Sequence, residues 1–202
     1  MESIELMKKG YHYKFAIVVG HEKTQKGAKA GPPLNVHEYD FNKEIAQLMY
    51  VFAREKSMDA RVFYRDGIGI GGVGDAVNRW GADVAIELHF NSATESARGT
   101  VTLYDANPAD NKEYATVIQR YMCELFKRTG KTNRGIKLLE SCDRGHYNTA
   151  SIKCISVLVE PFFGSNKDDC QLMWSNATGY ARCLVAGTIE FLNDKEKGEI
   201  KL

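Results

Sequence analysis

The chain has 202 residues, a net charge of +1 and ordinary apolar and charged fractions, which suit one large globular domain with a full core. The near-neutral balance gives no electrostatic case for nucleic acid or a membrane surface, and no apolar run approaches the length of a membrane span. The five cysteines are odd in number, widely spaced and without a CxxC pair, so they read as free thiols and not as a disulfide framework.

The start, MESIELMKKGYHYKF, lacks the apolar centre of a secretion signal. A cytoplasmic product is therefore expected, and a substrate beyond the membrane would have to be reached by some other release. His12 in this leader carries no signal. The first strand is predicted at 15–20 (FAIVVG) and runs straight into His21. A helix over 36–55 follows, with Phe41, Ile45, Leu48, Met49 and Phe52 at helical spacing. At its start Asn35 and Glu38 match a capping box. Glu38 also lies on the apolar stripe, where a carboxylate needs a partner, so cap and ligand are both open. Asn42, one turn on, is placed to hold a carboxylate. His37 falls about 100° around the helix and reads as surface.

A strand at 60–64 leads to Arg65. The segment Gly67 to Gly72 then fits GxGxxG between a strand and a helix at 75–80, with Glu87 twenty residues beyond the first glycine, near the place of a ribose-binding acid. Arg65 and Asp66 separate the glycines from the strand, however, and the loop is apolar. A flexible loop over the site is expected, not a dinucleotide cradle. The next strand, 83–89, continues into Asn91. Alternation puts Glu87, His89 and Asn91 on one face, which points to a polar site at the strand's end. After a strand at 99–104 and a helix at 112–129 comes SCDRGHYNTAS. Its Cys142 and His146, with Cys154, match no zinc spacing; they read as loop residues, with His146 kept as a substrate contact. The strand at 155–160 ends in Glu160, before the strand-stopping Pro161. A glutamate ending a buried strand is costly unless bonded or functional. A helix over 169–192 closes the chain.

Strands alternating with helices imply a layered α/β domain with a largely parallel sheet, and such sheets bind ligands beyond the carboxyl ends of their strands. His21, His89 and Glu160 all lie at such ends. Two histidines and a carboxylate form a ligand set for catalytic zinc that leaves a fourth position for water, whose pKa zinc brings to about 7. A further carboxylate can move the proton to a leaving nitrogen. The segments are too distant for spacing alone to decide the set.

The order GH, then E-x-x-x-N, then LHFNSA, then LVEPFFGSN resembles the zinc-dependent N-acetylmuramoyl-L-alanine amidases of the amidase-3 type. The resemblance runs from about Phe15 to Leu192. It implies one zinc ion held by His21, Glu38 and His89, Glu160 as the catalytic glutamate, and one three-layer α/β domain with a twisted, mostly parallel sheet of about six strands flanked by helices. Arg65, RWGADVAIELHF and NRGIKL agree with it. EKTQKGA after the first histidine is more similar to phage-type enzymes, and Glu87 stands where a serine is common. Glu87 is open as support for His89, a substrate contact or a competing ligand, with the first two favoured. The expected activity is hydrolysis of the amide between muramic acid and L-alanine of the stem peptide in peptidoglycan, by a phage or prophage endolysin without a separate wall-binding domain over 1–202. The alternatives are a zinc carboxypeptidase or amidohydrolase of small acyl amino acids, and a wall-binding protein without catalysis.

Overall fold

A computed structural model describes residues 13–143 and 145–198, so His12, most of the leader and the final residues lie outside it. The strands are β1 (Lys14–Val19), β2 (Asp59–Tyr64), β3 (Val84–Leu88), β4 (Thr100–Tyr104), β5 (Asn133–Leu138) and β6 (Ile155–Glu160). The helices are α1 (Glu38–Glu55), α2 (Gly69–Trp80), α3 (Asn111–Phe126), α4 (His146–Ala150) and α5 (Lys167–Glu196). The strands form one six-stranded sheet in the order β2-β1-β3-β6-β4-β5. Every neighbouring pair is parallel except β4 against β6.

Register decides what each face carries. Phe15, Ile17 and Val19 lie beside Val84, Ile86 and Leu88. That face is buried by α1, α3 and α5 through side chains such as Ile45, Met49, Ile118, Met173 and Leu184. The opposite face carries Ala16, Val18 and Ala85, covered by Val73 and Val77 of α2. Glu87 pairs with Val18 on this second, thinner side. No helix among the described residues is long and apolar enough to cross a membrane.

Two expectations change here. NRGIKL is a strand that the apolar-run criterion passed over, because β5 sits at the sheet edge and is mostly exposed. A covered strand reads as a continuous apolar run; an edge strand need not. From Gly69 on, the glycine-rich segment is not a loop but the start of α2, with Gly67 and Ile68 in the turn before it. Glycine in a helix costs about 1 kcal/mol relative to alanine, yet burial of Val73 and Val77 on the sheet offsets that loss. Gly74 is required by packing, since a Cβ there would lie 2.4 Å from Ser151 Oγ.

The turn after β6 is fixed by a buried acid. Asp169 accepts hydrogen bonds from the backbone N–H of Gly99 (2.9 Å) and of Phe163 (3.0 Å), and its other oxygen takes the Arg128 guanidinium at 2.5 Å. It ties the start of α5, the chain before β4 and the segment after Glu160 into one unit. Asp169→Ala should lower stability by about 3–5 kcal/mol by leaving Arg128 buried without its counter-charge. Chemical denaturation measures that loss; a change under about 0.5 kcal/mol, typical of a plain surface substitution, would refute this role.

Candidate active site

β1, β3 and β6 deliver their last residues to one end of the sheet. The Gly20 N–H donates to Leu88 O at 3.0 Å, bringing the chain after β1 against the end of β3. A Cβ at Gly20 would sit 2.3 Å from that carbonyl and 2.5 Å from the His89 ring, so only glycine permits the approach. His21 follows with φ of 65°, a left-handed conformation in which histidine is enriched among non-glycine residues. Gly27, at φ +74°, leaves space beside this group, for a Cβ there would lie 2.6 Å from His21 Nε2.

α1 brings Glu38 up from the other side. The capping box, one of the two readings open for Glu38, is absent: the N-cap position is His37, exposed and without a side-chain cap bond, and the Glu38 N–H donates to Ala28 O. The Glu38 carboxylate turns inward instead. Its Oε2 lies 3.0 Å from His21 Nε2 and its Oε1 lies 2.8 Å from His89 Nδ1. Oε1 also accepts from the Phe90 N–H at 3.0 Å. Asn42 does not hold a carboxylate, as its position suggested. Its Nδ2 donates to Leu88 O at 3.0 Å, anchoring the end of the strand that carries His89.

Beyond His89 the cluster continues on the α2 side of the sheet. Glu87 Oε1 lies 3.0 Å from His89 Nε2, accepts from Asn148 Nδ2 at 2.5 Å, and faces Arg65 Nη1 at 3.8 Å. Glu160 stands level with His89, whose N–H donates to Val159 O. Asn91 Nδ2 donates to Glu160 Oε2 at 2.6 Å. Of the residues the sequence offered as ligands, catalytic groups or their supports, His146 is not in this group. Its Nε2 pairs with Asp105 just past β4, at 2.9 Å. Cys142 is exposed and Cys154 partly buried. Among the described residues, the one group of three side chains that could hold a metal is His21, Glu38 and His89, with ligand atoms all within 4.8 Å of one another.

Sequence reasoning missed two contributors. Asn148 lies in α4 and reaches Glu87 only because α4 folds back beside β6; an asparagine in a polar loop gives no signal of that. Arg134, at the exposed start of β5, lies over the Phe163 ring at 5.0 Å, and its charge acts on Glu160. It went unseen with the strand that bears it.

The electrostatics match the geometry. Burial pushes the Glu38 pKa up, but hydrogen bonds from His21 and His89 outweigh it and pull the group down to about 2. Burial likewise acts against ionised Glu87, and the His89 contact together with Asn148 and Arg65 holds it below the ordinary value. His89 is disfavoured as a cation by burial, yet Glu38 and Glu87 raise it to about 10. Glu160 goes the other way: burial raises it above the usual carboxylate value, against the lowering effect of His89, Arg134 and Asn91.

The donor set suits a metal ion. His89 stands between two carboxylates, one at each ring nitrogen, and a neutral imidazole has a single N–H. It can satisfy one carboxylate; the other side needs a second proton or a cation. His21 Nε2 faces the same Glu38 carboxylate. Two imidazoles and a carboxylate converging in this way are the ligand types of a catalytic zinc site.

A family model described as N-acetylmuramoyl-L-alanine amidase matches residues 16–188. The chain belongs to that amidase family. The amidase resembles the catalytic domain of CD27L, an endolysin targeting Clostridia difficile, at 29% identity and a TM-score of 0.74, covering 89% of this chain and 98% of that one. It shares its fold with an N-acetylmuramoyl-L-alanine amidase from Clostridium difficile 630, at 22% identity and a TM-score of 0.76 over 91% of this chain and 98% of that one. CwlV from Bacillus (Paenibacillus) polymyxa var. colistinus, also such an amidase, has a catalytic domain at 21% identity and a TM-score of 0.74, with 90% and 98% covered. A search of curated proteins returns no match.

Proposed function

We propose that this amidase is zinc-dependent, that His21, Glu38 and His89 hold the ion, and that Glu160 is the catalytic residue in cutting the amide between the muramic acid lactyl group and L-alanine of the stem peptide. The observation carrying this reading is the convergence of three ligand atoms, from two imidazoles and a carboxylate, within 4.8 Å of one another, level with a carboxylate whose pKa is raised. When bound there, zinc would polarise the amide carbonyl and make water acidic enough to attack near neutral pH.

The chain's own groups do the rest. The Asn91 amide occupies Glu160 Oε2, which leaves Oε1 for proton transfer. Glu160 takes a proton from the attacking water and returns it to the alanine nitrogen as the C–N bond breaks, so that a neutral amine leaves. A raised carboxyl pKa suits both halves of that exchange. Asn42 and Gly20 keep the His89 strand end in place by both donating to the Leu88 carbonyl.

The biological reading proposed is lysis by an enzyme of phage or prophage origin. The likeness to an endolysin catalytic domain supports it, as does EKTQKGA after the first histidine. The test is digestion of purified peptidoglycan with zinc-loaded and chelator-treated enzyme. Expected are new alanine amino termini, only with metal, and no new reducing sugar ends. Reducing ends without free alanine would overturn the bond assignment.

A further inference from the structure

We propose that Glu87, braced by Asn148 and Arg65, keeps the His89 proton on Nε2, so that Nδ1 is bare toward Glu38 and His21; Glu87 thereby sets how tightly the site holds its metal. This rests on the metal reading of the same site and assigns Glu87 a positioning role within it.

The geometry first removes two other roles. Glu87 meets His89 at Nε2, whereas Glu38 meets the same ring at Nδ1. The two nitrogens point away from each other, so Glu87 lies behind the ring and outside the ligand cluster. It is not a competing ligand. It is also only 2% exposed, covered by Arg65 and Asn148, which leaves no opening for a substrate contact.

What remains is the hydrogen bond. An ionised carboxylate has no proton to give. Asn148 Nδ2 donates to Oε1 and the Arg65 charge lies 3.8 Å from it, so that oxygen acts as an acceptor, and His89 must meet it with Nε2–H. When a cation takes the place of the ring's second proton, the one proton left is the Nε2–H, and the Nδ1 lone pair faces Glu38. A histidine that ligates through one nitrogen and donates its other N–H to a carboxylate is fixed in ring orientation and made more basic.

Arg65 makes sense in the same frame. It is 7% exposed, and its Nε and Nη1 have no hydrogen-bond partner. A guanidinium left so poorly bonded in a buried place is there for its charge, and the carboxylate it faces is Glu87. This chain has built a buried carboxylate beside His89 together with a cation and an amide to support it.

The test is zinc binding by the full chain, measured by competition with a chromophoric chelator, beside thermal unfolding of the metal-free protein. Glu87→Gln should weaken zinc binding roughly 10–100-fold, the usual effect of losing such a partner, and should also lower the metal-free unfolding temperature, because Arg65 loses its counter-charge. Asn148→Ala should weaken it less, and should add nothing in the Glu87→Gln background, because it acts through Glu87. His21→Ala serves as the control on the metal reading. If Glu87→Gln binds zinc like the unaltered chain while His21→Ala does not, the inference fails and the metal site stands. If the unaltered chain binds no zinc, or His21→Ala binds it equally well, the metal reading fails and takes the inference with it. Should Glu87→Gln fold poorly, nitrogen NMR of the unaltered zinc-loaded enzyme decides: His89 ligated through Nδ1 with a proton on Nε2 is expected, and ligation through Nε2 overturns the proposal.

Discussion

Glu160→Gln should lower kcat by about 10²–10⁴-fold, the range that a positioned acid-base group supplies, while zinc affinity and unfolding stay unchanged. The substitution keeps the shape and the Asn91 contact but removes the carboxylate placed level with His89 to carry the proton. Burial holds the Glu160 pKa above its ordinary value, and the reactive form is the carboxylate. Activity must therefore fall as pH drops through that raised value, placing the acid limb of kcat/KM above the ordinary glutamate pKa of about 4.3. Asn91 donates to the ionised form and lowers the pKa, so Asn91→Ala should move the limb to still higher pH. A pH profile of kcat/KM for both proteins checks the sign. A Glu160→Gln enzyme within a few-fold of the unaltered rate, or an acid limb that Asn91→Ala shifts downward, would remove Glu160 from the reaction.

The second large effect is expected at His21. His21→Ala should release the metal on dialysis and abolish hydrolysis, with a loss of zinc affinity beyond the roughly 10–100-fold that an outer partner costs. His21 is the most exposed of the three proposed ligands, so its removal disturbs folding least and isolates the metal effect. Metal content by atomic emission, read beside activity, separates this from misfolding. One equivalent of zinc retained by an active His21→Ala enzyme would contradict the ligand set.

The parts of this molecule visible in its sequence were those that write a one-dimensional signal. β1, β3 and β6 are covered on both faces and read as apolar runs. A charged or imidazole residue at the end of such a run, as at His89 or Glu160, stands out because burial makes it expensive. The convergence of His21, Glu38 and His89 is tertiary, and the resemblance to a family supplied it where spacing could not. Three things were misread for physical reasons. β5 is an edge strand with a polar surface. The glycines of α2 argued for a loop, but Val73 and Val77 have a sheet to bury against. Asn42 was placed by helical spacing to hold a carboxylate, yet its amide is taken by the Leu88 carbonyl at the end of β3; Glu38, open between cap and ligand, gives its carboxylate to two imidazoles and the Phe90 N–H. Asn148 and Arg134 were invisible, since polar residues in exposed-looking segments acquire meaning only when the chain folds back.

The most direct test of the central claim is hydrolysis of a defined muramoyl-peptide by zinc-loaded enzyme in water enriched with heavy oxygen, followed by mass spectrometry of both products. Expected is a peptide beginning with free L-alanine and a lactyl carboxylate carrying one heavy oxygen, with neither product formed by chelated enzyme or Glu160→Gln. An intact lactyl–alanine bond, with the chain cut elsewhere or not at all, would contradict it.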